Sequence, residues 1–132
     1  MPESSEYFIE GLVSLYYLLI HADGRIDDKE LAAGRLMCDY EGIDERRLGK
    51  KLEDLNGKSE EEILQSGIKA LKMCEKVERL RCLAWITMIT NSDGYMDSEE
   101  WKLLYRVYHK SLRLKLEDIL RVQDTLPKAG HN

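Results

Sequence analysis

The sequence predicts an all-α protein, a compact bundle of about seven helices with an internal pseudo-twofold repeat. Its 132 residues include only two prolines, and aromatic and β-branched residues rarely alternate with polar ones as they do in strands. Two almost wholly apolar stretches recur along the chain, and each is followed by an acidic segment and an amphipathic stretch. A chain of this length predicts one domain, residues 1–132, with a core that needs neither disulfides nor metal.

The first two helices are predicted on either side of an acidic turn. Residues 5–22 form the first helix, because the stretch GLVSLYYLLI is apolar almost all round and is typical of a helix at the centre of a bundle. Gly24 ends this helix. Asp27 and Glu30 have the spacing of a capping box, so the second helix begins there and runs to about Tyr40.

The third and fourth helices are predicted from their caps. Gly34, within the second helix, allows a neighbouring helix to approach closely. Asp44 caps a short charged helix that ends before Asn56, and Ser59 with Glu62 forms a capping box for the fourth. The inward face of the fourth helix consists of Leu64, Ile68 and Leu71.

Three more helices follow a break that we place at residues 73–77, since an unbroken helix of about 30 residues is unusual in a small domain. The fifth contains the apolar stretch CLAWITMIT, and the sixth starts at a capping box formed by Asp97 and Glu100. The sixth presents Trp101, Leu104, Tyr105, Tyr108 and Leu112 at helical spacing. The seventh, near residues 116–126, offers Leu116, Ile119 and Leu120. The repeat halves are then residues 5–55 and 75–126, linked by a helix at 59–74.

The charge and cysteine content exclude several classes of protein. A formal net charge of −5 argues against binding to the nucleic-acid backbone and fits a protein partner. The three cysteines lack CxxC spacing and are predicted to be buried small hydrophobes, which fits a reducing cytoplasm. The first apolar run is too short for a membrane span, so we expect no direct membrane insertion.

Two acidic segments carry the chemistry that the sequence suggests. The first is HADGRIDDKE, residues 21–30, and the second is NSDGYMDSEE, residues 91–100. Each matches the second half of an EF-hand loop, with Asp at position 5, Gly at 6, an aliphatic residue at 8 and Glu at 12. The first half fails, because Leu19 or Ile89 would stand at position 1. Neither segment alone can therefore enclose a cation in oxygen ligands.

Two half-loops that face each other could complete such a cage. The resulting hypothesis is a shared divalent metal site, with calcium or magnesium favoured over zinc because the ligands are oxygens. Its primary ligands are Asp23, Glu30, Asp93 and Glu100, with support from Asp27, Asp97 and Asn91.

Helix capping is the alternative explanation of both segments. Gly24 and Gly94 suit the left-handed end of a helix, and the aspartate and glutamate that follow each glycine form ordinary capping boxes. Capping leaves Asp23 and Asp93 unexplained, because each follows the negative end of a helix, where an acidic side chain is disfavoured.

The duplicated pattern, ADGRIDDKEL followed by SDGYMDSEEW in a helical chain, resembles the tellurite-resistance TerB family and TerB-like domains. The resemblance covers nearly the whole chain and implies a compact fold of about seven helices with internal pseudo-symmetry. It implies that Asp23, Glu30, Asp93 and Glu100 occupy the acidic positions of a metal-responsive site. It also implies a bacterial stress-response component that works beside membrane proteins of the same system.

The remaining polar and aromatic residues have simpler interpretations. His21 could be a ligand or a base beside Asp23, but a histidine that ends a buried helix is more often structural. Its counterpart Asn91 makes the two copies chemically unequal. Trp85, Trp101 and the tyrosines are interpreted as core and groove lining, with any exposed subset marking a partner surface.

The expected function is that of a non-enzymatic, divalent-metal-responsive adaptor or scaffold in a TerB-like stress-response system. It would act through a protein partner, one associated with a membrane, and would lie in the cytoplasm, peripheral to the inner membrane through that partner. A metal-free helical interaction module is the first alternative. A metal-dependent hydrolase is a weaker one, since no nucleophile with a base and no phosphate-binding glycine loop accompany the carboxylates.

Overall fold

The structure, a computed structural model, describes residues 5–21, 28–91 and 98–127. Over these ranges the chain is all-helical and contains no strand, as the sequence predicts. The helices are α1 (Glu6–His21), α2 (Asp28–Glu41), α3 (Glu45–Leu55), α4 (Glu60–Lys72), α5 (Lys76–Thr90), α6 (Ser98–Tyr105) and α7 (Leu116–Gln123), and α6 continues into a π-helical segment, Arg106–Ser111. None of these helices combines the length and apolarity required to cross a bilayer.

The two apolar helices lie at the centre of the bundle, as predicted. Helix α1 is buried along most of its length, and α5 is buried continuously from Cys82 to Thr90. The predicted core residues Leu15, Leu19, Ala84, Trp85 and Met88 are all buried, as are Leu64, Ile68 and Leu71 on α4. Helix α1 ends where the first acidic segment begins, and α5 ends where the second begins.

Helices α1 and α4 pack closely because each carries a glycine at the contact, Gly11 on α1 and Gly67 on α4. A Cβ atom added to Gly11 would lie 2.5 Å from Leu71 Cγ and 3.3 Å from the carbonyl oxygen of Gly67. Real side chains do not approach so closely, so this contact requires a residue without a side chain.

The predicted caps of α3 and α4 and the break between α4 and α5 are confirmed, whereas Asp27 and Asp97 of the other two predicted capping boxes lie outside the described residues. Asp44 Oδ1 accepts a hydrogen bond from the Arg47 amide at 2.7 Å, and Ser59 with Glu62 forms a reciprocal capping box. Helix α4 ends at Lys72, where Arg79 donates to the carbonyl oxygens of Leu71 and Lys72. These bonds satisfy carbonyl groups that the end of a helix leaves without partners.

Three residues at the predicted apolar positions of the last helices are exposed. Trp101 is 42%, Tyr105 38% and Leu120 44% exposed. The buried face of α6 contains Glu100 and Leu104, and Trp101 and Tyr105 each lie one residue beyond it. Leu104, Val107 and Tyr108 face the core instead.

Candidate functional site

The predicted metal ligands divide into two groups. Asp23, Asp27, Asp93 and Asp97 lie outside the described residues. Glu30, Glu100, Asn91 and His21 lie within them, on the helices that flank the two acidic segments.

Glu30 and Glu100 are buried at matching positions of the two copies. Each is the third residue of its helix, α2 or α6, and the two residues before it are exposed. Only 8% of Glu30 and 5% of Glu100 is exposed. A carboxylate withdrawn from water to this degree requires polar or charged partners.

The capping box of α4 provides a comparison within the same chain. Glu62 there returns a hydrogen bond to the backbone amide of Ser59 at 3.3 Å, and its side chain stays exposed. A glutamate at the third helical position can therefore serve a cap without burial. The burial of Glu30 and Glu100 is a feature that capping alone does not require.

The hydroxyl of Tyr16 on α1 lies against α2 at Gly34, about one helical turn after Glu30. Burial raises the pKa of Tyr16, and the neighbouring Cys38 thiol and Glu30 carboxylate raise it further, while Arg35 opposes them. A Cβ atom on Gly34 would lie 2.4 Å from Tyr16 Oη, so the predicted role of this glycine in close helix packing is confirmed. Helix α1 thus packs against α2 about one helical turn from the buried glutamate at its start.

The C-terminal end of α1 and the start of α6 border the same cleft, of about 260 Å³. Leu18 contributes from α1 and Glu99 from α6. Arg106, in the π-helical segment, also lines this cleft and donates to the carboxylate of Glu61 on α4 at 2.9 and 3.1 Å. The helix end that enters the first acidic segment therefore lies near the helix start that leaves the second.

The opposite ends of α1 and α5 also lie together. Ser5 Oγ donates to Glu78 Oε2 at 3.1 Å, and the Arg81 guanidinium stands 4.3 Å above the ring of Phe8. The two helices thus begin side by side, and each leads into one acidic segment.

His21 and Asn91 occupy helix-end positions. His21 Nδ1 lies 2.9 Å from the carbonyl oxygen of Tyr17, and the two rings have centroids 4.3 Å apart. The Asn91 amide donates to the carbonyl of Thr87 at 3.1 Å. Among the residues that the structure describes, no three His, Cys, Asp or Glu side chains form a group able to hold a metal ion.

A buried cluster centred on Glu41 was not foreseen from the sequence. Its carboxylate accepts hydrogen bonds from Arg81 Nε at 2.9 Å, Arg81 Nη2 at 3.1 Å and Trp85 Nε1 at 2.7 Å. The cluster joins the end of α2 to α5 and so connects the helix after the first acidic segment to the helix before the second. Glu41 lies at the end of α2 and belongs to no sequence motif, so its pairing with Arg81 and Trp85 could not be predicted from nearby residues.

Aromatic side chains on α6 and the π-helical segment form a cluster that is partly exposed, the condition under which the sequence predicts a partner surface. Tyr105 stacks on His109 with ring centroids 4.7 Å apart and meets Tyr108 edge-on at 5.7 Å. Trp101 lies 6.4 Å from Tyr108. Exposed Trp and Tyr side chains are typical of surfaces that bind proteins.

The cysteines offer no reactive site. Cys38, Cys74 and Cys82 are free and buried, as predicted. Burial raises the pKa of Cys38 to about 11 and also raises the pKa values of Cys74 and Cys82. These thiols therefore stay protonated at neutral pH, the form that is neither nucleophile nor metal ligand.

Comparison of the chain with family models, with curated proteins and with solved structures gives no match.

Proposed function

We propose that this protein is a non-enzymatic adaptor that binds a divalent cation, calcium or magnesium, through its two acidic segments and acts by contact with a protein partner. The burial of Glu30 and Glu100 at matching positions carries the proposal. Each glutamate stands where an EF-hand loop supplies its bidentate ligand. A buried carboxylate aligned with that position suits a cation better than it suits a cap, for which Glu62 shows that exposure is sufficient.

Three positions in the fold support a single shared site. Helices α1 and α5 start together at Ser5 and Glu78, and the end of α1 borders one cleft with the start of α6. An acidic segment joins α1 to α2, and the other joins α5 to α6. One half-loop supplies too few oxygens for calcium, so two neighbouring half-loops are the arrangement that can fill its shell of about six to eight ligands.

The proposal includes a TerB-like fold with a pseudo-twofold repeat. The order of buried helix, acidic segment and second helix occurs twice, as α1 with α2 and as α5 with α6. From the resemblance of its sequence to the TerB family, we further propose that the protein serves a stress-response system of the tellurite-resistance type, in the cytoplasm, with a membrane-associated partner.

Thermal melts of the wild type and of the double variant Asp23→Asn with Asp93→Asn test the metal site. These aspartates are the part of the motif that capping leaves unexplained. A cation at about 100 times its dissociation constant stabilises a folded protein by about 2.7 kcal/mol, so the wild-type melting temperature rises by several degrees and that of the variant barely moves.

A second double variant, Asp54→Asn with Asp124→Asn, is the matched control. It removes the same charge from two exposed positions, on α3 and after α7, and keeps the wild-type response to calcium. Chelator, magnesium and zinc complete the comparison. A wild type that melts at the same temperature with every ion would refute the metal site.

A metal-free helical interaction module is the second candidate function. The exposed rings of Trp101 and Tyr105 favour it, because they provide a contact surface whether or not a cation is bound. Partner binding that is identical in chelator and in calcium would establish this alternative.

A further inference from the structure

We propose that the exposed side of α6 and the π-helical segment binds a carboxylate-rich segment of a partner protein. This inference rests on the proposed adaptor function and names the chemistry of the partner. The surface, called here the basic aromatic face, consists of Trp101, Lys102, Tyr105, Arg106, His109, Lys110, Arg113 and Lys115, all exposed.

Charge is the first observation that points to an acidic ligand. The run from Trp101 to Lys115 contains five lysines and arginines and no aspartate or glutamate, although the whole chain has a formal net charge of −5. Lys102 pairs with Glu99 at 3.4 Å and Arg106 with Glu61 at 2.9 Å. Lys110, Arg113 and Lys115 form no ion pair with any residue that the structure describes, so their charges face solvent.

The backbone of Arg113 is the second observation. Arg113 has a φ of 55°, in the left-handed region that favours glycine. It closes the helical segment, since the Leu112 amide donates to the carbonyl of Val107 at 2.9 Å and the Leu114 amide donates to that of Tyr108 at 2.7 Å. The arginine side chain makes no hydrogen bond or ion pair within the described ranges.

Arg113 therefore occupies a position where glycine would stabilise the fold and where the side chain stabilises nothing inside it. A residue held in an unfavourable backbone conformation is a sign of a role outside the fold. The bordering π-helical segment points the same way, because such segments occur often at functional sites. A carboxylate on a partner protein could accept two hydrogen bonds from the planar guanidinium group of Arg113.

The aromatic rings provide contact area beside these charges. Trp101 and Tyr105 are each more than one-third exposed. Tyr105 is held by His109, stacked at 4.7 Å, and by Tyr108, so it loses little conformational freedom when a partner covers it. Rigid aromatic side chains flanked by arginine and lysine are typical of protein interfaces.

An acidic protein segment fits this face better than a membrane or a nucleic acid. Glu60, Glu61 and Glu99 line the cleft at its edge. A plane of anionic lipid would meet these glutamates as well as the basic residues, since charges act over about 8 Å at physiological salt. An oligonucleotide requires open ring faces for base stacking, and one face of Tyr105 is covered by His109. A short peptide can follow the basic strip alone.

Fluorescence anisotropy with a labelled helical peptide of glutamate, aspartate, leucine and alanine tests the proposal. The same peptide with glutamine and asparagine in place of its acids is the probe control. We expect binding of the acidic peptide that weakens as salt rises, and no binding of the amide peptide. Vesicles of anionic lipid and a single-stranded oligonucleotide are assayed beside it.

The variant Arg113→Gly separates binding from folding. It removes an exposed charge and relieves the left-handed backbone, so peptide affinity falls about two- to fivefold while the melting temperature rises by about 2–8 °C. Arg113→Lys keeps the charge and retains most of the affinity. The control Lys69→Gln, an exposed lysine on α4, binds like the wild type.

Four outcomes overturn the proposal: no binding of the acidic peptide, equal binding of the amide peptide, unchanged affinity in Arg113→Gly, or tighter binding of vesicles or oligonucleotide. If the acidic peptide binds with equal affinity in chelator and in calcium, the result supports the basic aromatic face and contradicts a metal-dependent response of the adaptor. If calcium raises the melting temperature of the wild type but any of the four outcomes is observed, the proposal for the basic aromatic face is wrong and the proposed metal site stands.

Discussion

At the scale of single residues, the buried carboxylate of Glu41 is the interaction that best tests how α2 is fixed to α5. It accepts hydrogen bonds from both Nε and Nη2 of Arg81 and from Nε1 of Trp85. Glu41→Gln removes the charge and turns an amide toward two N–H donors of Arg81. We expect a loss of about 2 kcal/mol in the free energy of unfolding, measured by urea denaturation, because a half-buried guanidinium then lacks its counter-charge.

Glu61→Gln is the matched control for that change. Glu61 also pairs with an arginine, Arg106, but both side chains are about half exposed. Solvent already screens such a pair, so the denaturation midpoint stays nearly unchanged. If both substitutions changed the free energy of unfolding equally, the buried Glu41 cluster would stabilise the fold no more than an exposed ion pair does.

Single residues also mark the limit of sequence analysis. Glu30 and Glu100 could be selected because both belong to a local pattern of Asp, Gly and Glu, and a local pattern is visible in one sequence. Glu41 and Arg81 are 40 positions apart, and neither belongs to a motif. Their pairing depends on how α2 packs on α5, which no local spacing encodes.

At the scale of helices, two glycines permit a direct comparison of packing with helix propensity. Gly11 on α1 has no room for a Cβ atom, whereas Gly49 on α3 has nothing within 4 Å of that position. Gly11→Ala lowers the free energy of unfolding by about 1–3 kcal/mol, because the clash with Leu71 outweighs the better propensity of alanine.

The same substitution at Gly49 has the opposite sign. Gly49→Ala raises the free energy of unfolding by up to about 1 kcal/mol, since alanine loses less entropy in a helix and meets no neighbour there. Denaturation of the two variants under one set of conditions checks both signs. If Gly11→Ala were as stable as the wild type, α1 and α4 could move apart without a loss in the free energy of unfolding.

The helices differ in how well their boundaries could be predicted. Asp44 and Ser59 define the starts of α3 and α4 because a cap is a contact between residues three apart. The π-helical segment after Tyr105 has no such signature. Residues three and four apart share one helix face, so period counting grouped Trp101 with Leu104, although only Leu104 is buried.

At the scale of the whole molecule, the arrangement of helices decides whether the two acidic segments form one site or two. The all-helical fold followed from composition and apolar periodicity. The relation between the two segments depends on packing of helices about 70 residues apart in sequence. The adjacent starts of α1 and α5, and the cleft that α1, α4 and α6 share, therefore bear on it.

The single variants Asp23→Asn and Asp93→Asn distinguish a shared site from separate ones. If both half-loops complete one shell, either change alone replaces a negative carboxylate of that shell by a neutral amide. Each then removes most of the calcium-dependent rise in melting temperature, so the two losses do not add. Separate sites would instead give each single variant part of the wild-type rise, with the two losses adding to that of the double variant. Calorimetric titration checks the same point through stoichiometry, since a shared site binds one calcium ion per chain, and two ions per chain would refute it.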